Sequence, residues 1–310
     1  TIIAVIPIYN IGGALNRNST TRTNQNGPKS YGFRGNARNY DLNRDFIKAD
    51  TKNARAFANL FRIVKPDYFI DNHVSNGADY QYTLTHLFTQ HNKLGGQLGN
   101  YLHTSLMPKL EDSLAKAQWD ITPYVNVFNQ SPEKGFTQFL DSPRYSTGYT
   151  TLFGTVGMMV ETHMLKPYKQ RVEGTYELMK QFLKIIDEDV SVVKNLRKID
   201  ADRYKVGSYY PIQWRVDSTQ TKTLNFKGFE AEMLPSEFTG AQRLKFDRTK
   251  PYARDVTYYN TFKAVDSITI PEQYIVPQGY WNVIELLKKN KISYDVIQKD
   301  TVITAEVYHI

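Results

Sequence analysis

Cysteine is absent from all 310 residues, which excludes disulfides and thiol catalysis and leaves the compartment undetermined. No stretch approaches the roughly 20 consecutive apolar residues that a membrane span needs. No run of five or more Lys/Arg occurs. A formal net charge of +8, spread over the whole chain, builds no basic helix face, so nucleic acid is not an expected partner. Neither an initiating Met nor a signal peptide is present. The chain opens at Thr1 directly on an apolar run, and the expectation is that the natural N-terminus and any targeting signal lie upstream.

What is present describes a globular protein. Hydrophobic residues make up 41% and charged residues 23%, enough for an ample core. At this length two domains, or one large and one small, are expected. The β-branched run Ile2–Tyr9 reads as a buried strand. A long Asn-, Gly-, Ser- and Thr-rich loop follows. Asp50 or Thr51 is placed to cap a helix whose apolar positions are Ala54, Phe57, Ala58, Phe61 and Val64, stopped by Pro66. Tyr68–Asp71, Tyr80–Phe88 and Val156–Glu161 read as strands. Gly95–Ala117 is a helical pattern interrupted by Pro108. Val172, Tyr176, Met179, Leu183 and Ile186 recur at helical spacing over 167–188.

The texture changes near residue 200. Tyr204–Val216, Lys222–Met233 and Thr257–Ala264 alternate as half-buried strands do, and residues 273–297 read strand–helix–strand. The expected organisation is therefore an α/β unit over 1–199 and a β-rich accessory unit over 200–310. The first has a mixed, mostly parallel sheet flanked by helices. In such sheets, sites gather beyond the carboxyl ends of strands.

Four polar groups meet that test or sit in the long loops: Arg34 with the stretch Asp41-Leu42-Asn43-Arg44-Asp45-Phe46, Asp71-Asn72-His73, Tyr145-Ser146-Thr147-Gly148-Tyr149, and Glu161-Thr162-His163. Each alone has an ordinary structural reading. A histidine after a strand is usually a satisfied structural residue, a strand-end Glu faces solvent, and an Asn-Arg pair is turn chemistry beside a surface charge. His86 and His91, five apart, have no carboxylate at ligand spacing; His103 lies within the helical pattern and His309 near the chain end, and a structural role is the plain reading of His163.

Together and in this order, the four groups resemble the zinc metallocarboxypeptidases (the funnelins, peptidase family M14). The resemblance covers roughly residues 1–190, and Asp41–Arg44 (DLNR) is its most specific part. It implies that His73 is a ligand of Zn²⁺ and that Glu161 is the general base acting on a metal-bound water. By the same resemblance Arg34, nine residues before Asn43, steadies the oxyanion, while Asn43 and Arg44 grip a substrate carboxylate. Tyr149 and Tyr145 stand in for a substrate-covering tyrosine. Tyr149 is preferred because Gly148 would let its loop flex.

The family's other two ligands come as H-x-x-E, a pattern found nowhere in this chain. The resemblance thus describes an N-terminally incomplete catalytic domain, and the 310 residues by themselves are expected to be inactive. It implies a peptide or peptide-like substrate with a free carboxylate and a secreted or periplasmic setting. A sheet lacking its first strands calls for an oligomer or for its own N-terminal segment. Two other readings stay open: an N-acyl amino acid amidohydrolase, and a non-catalytic carboxylate- or peptide-binding relative.

Overall fold

The structure, a computed structural model, describes residues 1–307. Its central sheet has the order β1 (Tyr68–Ser75), β5 (Val156–His163), β2 (Leu84–Phe88), β3 (Ile121–Pro123). β1 runs parallel to β5 and β2 parallel to β3, while β2 and β5 are antiparallel. The expected mixed, mostly parallel sheet is the one observed. Every residue of β5 is buried, as a near-continuous apolar strand covered on both faces should be.

One face carries the main core. Leu84, Phe88, Val156, Met158 and Val160 pack on Leu98, Leu102, Leu106, Leu110, Leu114, Leu178, Phe182 and Ile185. These come from α4 (Gly96–Tyr101), α5 (Met107–Lys116), the π-helical turn Leu102–Leu106 between them, and α7 (Tyr168–Ala201). Pro108 does not interrupt this helical run. The π turn widens the backbone just ahead of it, and Pro108 then falls in the first turn of α5, where a missing N–H leaves no intrahelical bond unmade. In α7 the buried stripe is Gly174, Leu178, Phe182, Ile185 and Ile186. The expected members Val172 and Tyr176 are 50% and 70% exposed. Both periodicities fit the sequence, and the tight approach of Trp119 to Gly174 shows which face meets the sheet.

The opposite face rests on α2 (Lys52–Val64), whose cap is Thr51: its hydroxyl accepts from the Ala54 N–H at 3.1 Å. Phe57 and Phe61 of α2 join Phe46, Phe69 and Tyr149 in an aromatic cluster with ring centroids 5.1–6.5 Å apart, the range in which edge-to-face pairs are favourable. Tyr149 comes from the short helix α6 (Ser146–Thr151).

Three expectations are corrected. Ile2–Tyr9 forms no strand: it has no regular structure and is exposed as far as Ile8, Ile2 at 98%, because a β-branched run becomes a strand only when a neighbour supplies ladder bonds, and no described strand pairs with it. The expected strand across 257–264 is two strands. β8 (Gln242–Tyr259) pairs with β7 (Lys222–Pro235), and β9 (Phe262–Thr269) pairs with β6 (Tyr209–Val216), so the chain changes sheets at Asn260-Thr261. At the C-terminal end α8 (Trp281–Lys289) is present, but the two flanking strands are not.

β8 also pairs with β4 (Phe136–Thr137). Tyr80, Tyr82, Val125, Val127 and Phe136 thereby share one hydrophobic cluster with Phe226, Tyr252, Val256 and Tyr258. Residues from both sides of position 200 build it. Two short helices, α1 (Ile11–Leu15) and α3 (His91–Leu94), complete the described elements together with single 3-10 turns.

Candidate functional site

The register of β1 against β5 sets His73 directly beside Glu161. Side chains two apart on a strand share a face, so Phe69, Asp71 and His73 climb one face from the aromatic cluster toward the carboxyl end. His73 Nε2 lies 2.9 Å from Asp71 Oδ2, and His73 Nδ1 lies 3.8 Å from Glu161 Oε1. The Ser146 hydroxyl donates to the same Asp71 Oδ2 at 2.6 Å.

These contacts set the charges. Burial presses the Glu161 carboxyl up to about 7, the neighbouring Asp71 adds to this, and His73, Arg22 and Arg34 oppose it. Its Oε2 is buried with no hydrogen-bond partner among the described residues. Burial pulls the His73 imidazole the other way, but the charge and hydrogen bond of Asp71, with the charge of Glu161, outweigh it and hold His73 up to about 9. Burial alone would raise the carboxyl of half-buried Asp71, yet the charge and hydrogen bond of His73 and the Ser146 hydroxyl keep it below the usual carboxylate range. At neutral pH the site therefore holds a carboxylate–imidazolium pair and a second carboxyl poised at its titration point.

The Arg34–Asn43–Arg44 element lies in the loops beside this face. Arg34 donates Nε and Nη2 to Asp41 Oδ2 at 3.0 and 2.8 Å, and Asp41 Oδ1 accepts the Asn43 N–H at 3.0 Å. One aspartate thus joins the two. Asn43 Oδ1 is buried without a partner. Arg44 donates to the Asn43 carbonyl at 2.8 Å and lies 4.6 Å over the Tyr145 ring. Because Tyr145 precedes Ser146, which holds Asp71, a chain of contacts runs from Arg44 to His73.

Tyr149 departs from its expected place. It is fully buried in the aromatic cluster and its hydroxyl donates to Asn290 Oδ1 at 2.6 Å; a ring locked in a core does not fold over a substrate. Tyr145 is the tyrosine that meets the Arg44 guanidinium. His163 Nε2 donates to the Ala78 carbonyl at 2.9 Å, and the ring packs on Tyr80. His86 pairs with Glu111 at 2.8 Å, and His91 stacks on His103. His309 lies outside the described residues.

The donor set does not fit a zinc ion. A ligating imidazole must offer a lone pair, whereas both His73 nitrogens face carboxylates. Among the described residues no group of three His, Cys, Asp or Glu side chains converges to hold a metal. No step is therefore assigned to one.

Arg22, Asp71 and Ser146 carry no role in the sequence reading. Asp71 and Ser146 stood in the quoted motifs, and the alternation of Asp71 with His73 along β1 was the available signal. Arg22 sits in the long polar loop, where nothing in the sequence distinguishes it.

No protein-family model matches the chain, and no curated protein matches it. Among solved structures, the crystal structure of a metallo-carboxypeptidase from Burkholderia cenocepacia aligns over 51% of this chain and 42% of that chain, at a TM-score of 0.39 and 13% identity. The chain thus spans less than half the length of that protein. Likeness at this level carries no functional argument, and what the fold supports is a mixed α/β architecture.

Proposed function

We propose that this chain recognises peptides or peptide-like molecules through a free carboxylate and carries the proton-transfer side of a carboxypeptidase-type hydrolase. The observation that carries the reading is Glu161: a buried carboxyl at about 7, one oxygen unpartnered, beside the His73 imidazolium. A general base works best when its pKa lies near the operating pH. Glu161 would take a proton from water attacking the carbonyl and return it to the leaving amine. Arg34 keeps Nη1 free of any described hydrogen bond while Asp41 holds the rest of the guanidinium, so Nη1 is the donor for the developing oxyanion. Asn43 and Arg44, steadied on Tyr145, would bind the terminal carboxylate.

The two remaining zinc ligands of the resemblance have no counterparts among the described residues. This favours a second reading, a non-catalytic carboxylate binder. N-acyl dipeptides and N-acyl amino acids, each with its C-terminal amide as control, separate the two. Release of the C-terminal residue from the free acids, abolished in Glu161→Gln, supports the hydrolase. Saturable binding of the free acids without turnover supports the binder, and equal binding of acids and amides overturns both.

A further inference from the structure

Immediately beyond the carboxyl ends of β1 and β5 the surface opens into a cleft of about 450 Å³. Its walls include Arg22, Asn24 and Arg34 from the long loop, Asn76-Gly77 following β1, and Met164 following β5. It thus adjoins the strand ends that carry His73 and Glu161, the position at which open α/β sheets bind ligands. Gly77 sits at φ +110, with its Cα face 3.1 Å from the Val127 carbonyl as a Cβ would measure it. A side chain there would be strained and crowded, so this wall of the cleft stays low.

Arg22 sets the cleft apart. Among the half-buried arginines, Arg44 bonds the Asn43 carbonyl, Arg62 lies over Phe153, Arg197 binds Asp67, and Arg203 bonds the Leu94 carbonyl and lies over Tyr204. Arg22 is half-buried as well, yet no described side chain or carbonyl receives its guanidinium. Burial and the like charge of Arg34 both disfavour its protonated form, with Glu161 and Asp41 giving partial relief. A guanidinium stays charged in proteins, so this one is half-buried near another cation, with Glu161 and Asp41 acting only at a distance and no ion pair among the described residues. Thr21, Thr23, Asn24 and Asn76, all able to donate hydrogen bonds, line the same space. These are donors that complete the coordination of a planar carboxylate.

We infer that the Arg22 cleft is an anion subsite for a second carboxylate of the substrate, so that this protein selects acidic peptides or N-acyl acidic amino acids. The inference rests on the proposed recognition of a free carboxylate at the Asn43–Arg44 element. It adds the charge of the neighbouring group and places it on Arg22 rather than on Arg34, which Asp41 already occupies.

Calorimetric titration of the full chain with matched pairs tests it: N-acetyl-Ala-Glu against N-acetyl-Ala-Gln, and N-acetyl-Glu-Ala against N-acetyl-Gln-Ala. The expected result is at least tenfold tighter binding of the glutamate member of one pair. Arg22→Gln should erase that preference while leaving the glutamine member's affinity and the thermal melting point unchanged, and Arg22→Lys should keep part of it. Equal binding within both pairs, or a preference that survives Arg22→Gln, overturns the subsite. Inorganic phosphate is the remaining arm. Competition by phosphate against the glutamate peptide alone supports a shared anion position, whereas phosphate binding lost in Arg22→Gln with peptide preference intact overturns the substrate role. A preference that depends on Arg22 in a protein that cleaves none of the peptides leaves the subsite standing and favours the binder over the hydrolase reading.

Discussion

Strands β5 and β9 are both eight residues long, yet they live in opposite surroundings. All of β5 is buried, and it reads Val-Gly-Met-Met-Val before reaching Glu161. In β9 Phe262 is buried and nearly everything after it is exposed, and in its partner β6 no residue is buried and half are exposed. The difference is one of neighbours: β5 has a strand on each side and helices or aromatic rings on each face, whereas β6 and β9 have only each other. A charged group at the end of β5 therefore feels little solvent and has its pKa moved, as at Glu161. The site lies on the strand where chemistry can be tuned.

Four experiments sharpen or break that contrast. The largest effect is expected at Glu161: given turnover, Glu161→Gln should lower kcat by about 10²–10⁴-fold with ligand affinity retained, measured by single-turnover release of the C-terminal residue. Next is the aromatic cluster beneath the sheet. Tyr149→Ala should destabilise by about 3–5 kcal/mol in urea unfolding, and Tyr149→Phe by less, since only the bond to Asn290 is lost. A small loss for the alanine variant would show that the site face is less firmly supported than its burial implies.

The third experiment concerns pH. His73 is raised from 6.5 to about 9, so its pairing contributes stability that is complete below about pH 6.5 and is lost as pH rises through 9. Glu161, raised from 4.5 to about 7, holds its proton longer folded than unfolded, so stability also falls between those values. Urea midpoints should decline from pH 5 to 9.5, and His73→Gln should flatten the upper part of the decline. NMR titration of Asp71→Asn should show the His73 value falling toward 6.5. The smallest effect is expected on the outlying ribbon, where Val265, 45% exposed, should tolerate Val265→Thr within about 0.5 kcal/mol.

Much of the central unit could be read from residue pattern because local and tertiary demands agree there. Thr51 caps a helix that buries Ala54, Phe57, Ala58 and Phe61 as expected, with only Val64 of the expected positions left exposed at its end, and the apolar run at Val156 is a strand because it lies between two others. Ile2–Tyr9 shows the limit: its composition is that of a strand, but pairing is a property of the partner. The tyrosine assignment failed for a related reason. Tyr145 and Tyr149 differ in sequence by one helical turn, and only packing against Phe57 and Phe61 decides that Tyr149 faces inward. The Arg22 cleft was invisible because its walls come from three separate loops. At the far end, the alternation of Leu244 and Phe246 was the overlooked sign that β8 is long, while Tyr252, Val256 and Tyr258 of its other half build the shared cluster.

Asp71 Oδ2 receives two donors at once, the imidazole of His73 from its own strand and the hydroxyl of Ser146 from the helix that follows Tyr145. One oxygen is therefore the hinge pin between a titrating group and a segment of backbone. Any shift of α6 that lengthens the Ser146 contact leaves more of that oxygen's charge to the imidazole, and any loss of the imidazole's proton frees the oxygen for the hydroxyl. The resonance of His73 in solution would then act as a position gauge for the Tyr145 loop, reporting the arrival of a ligand on Arg44 even when nothing is cleaved.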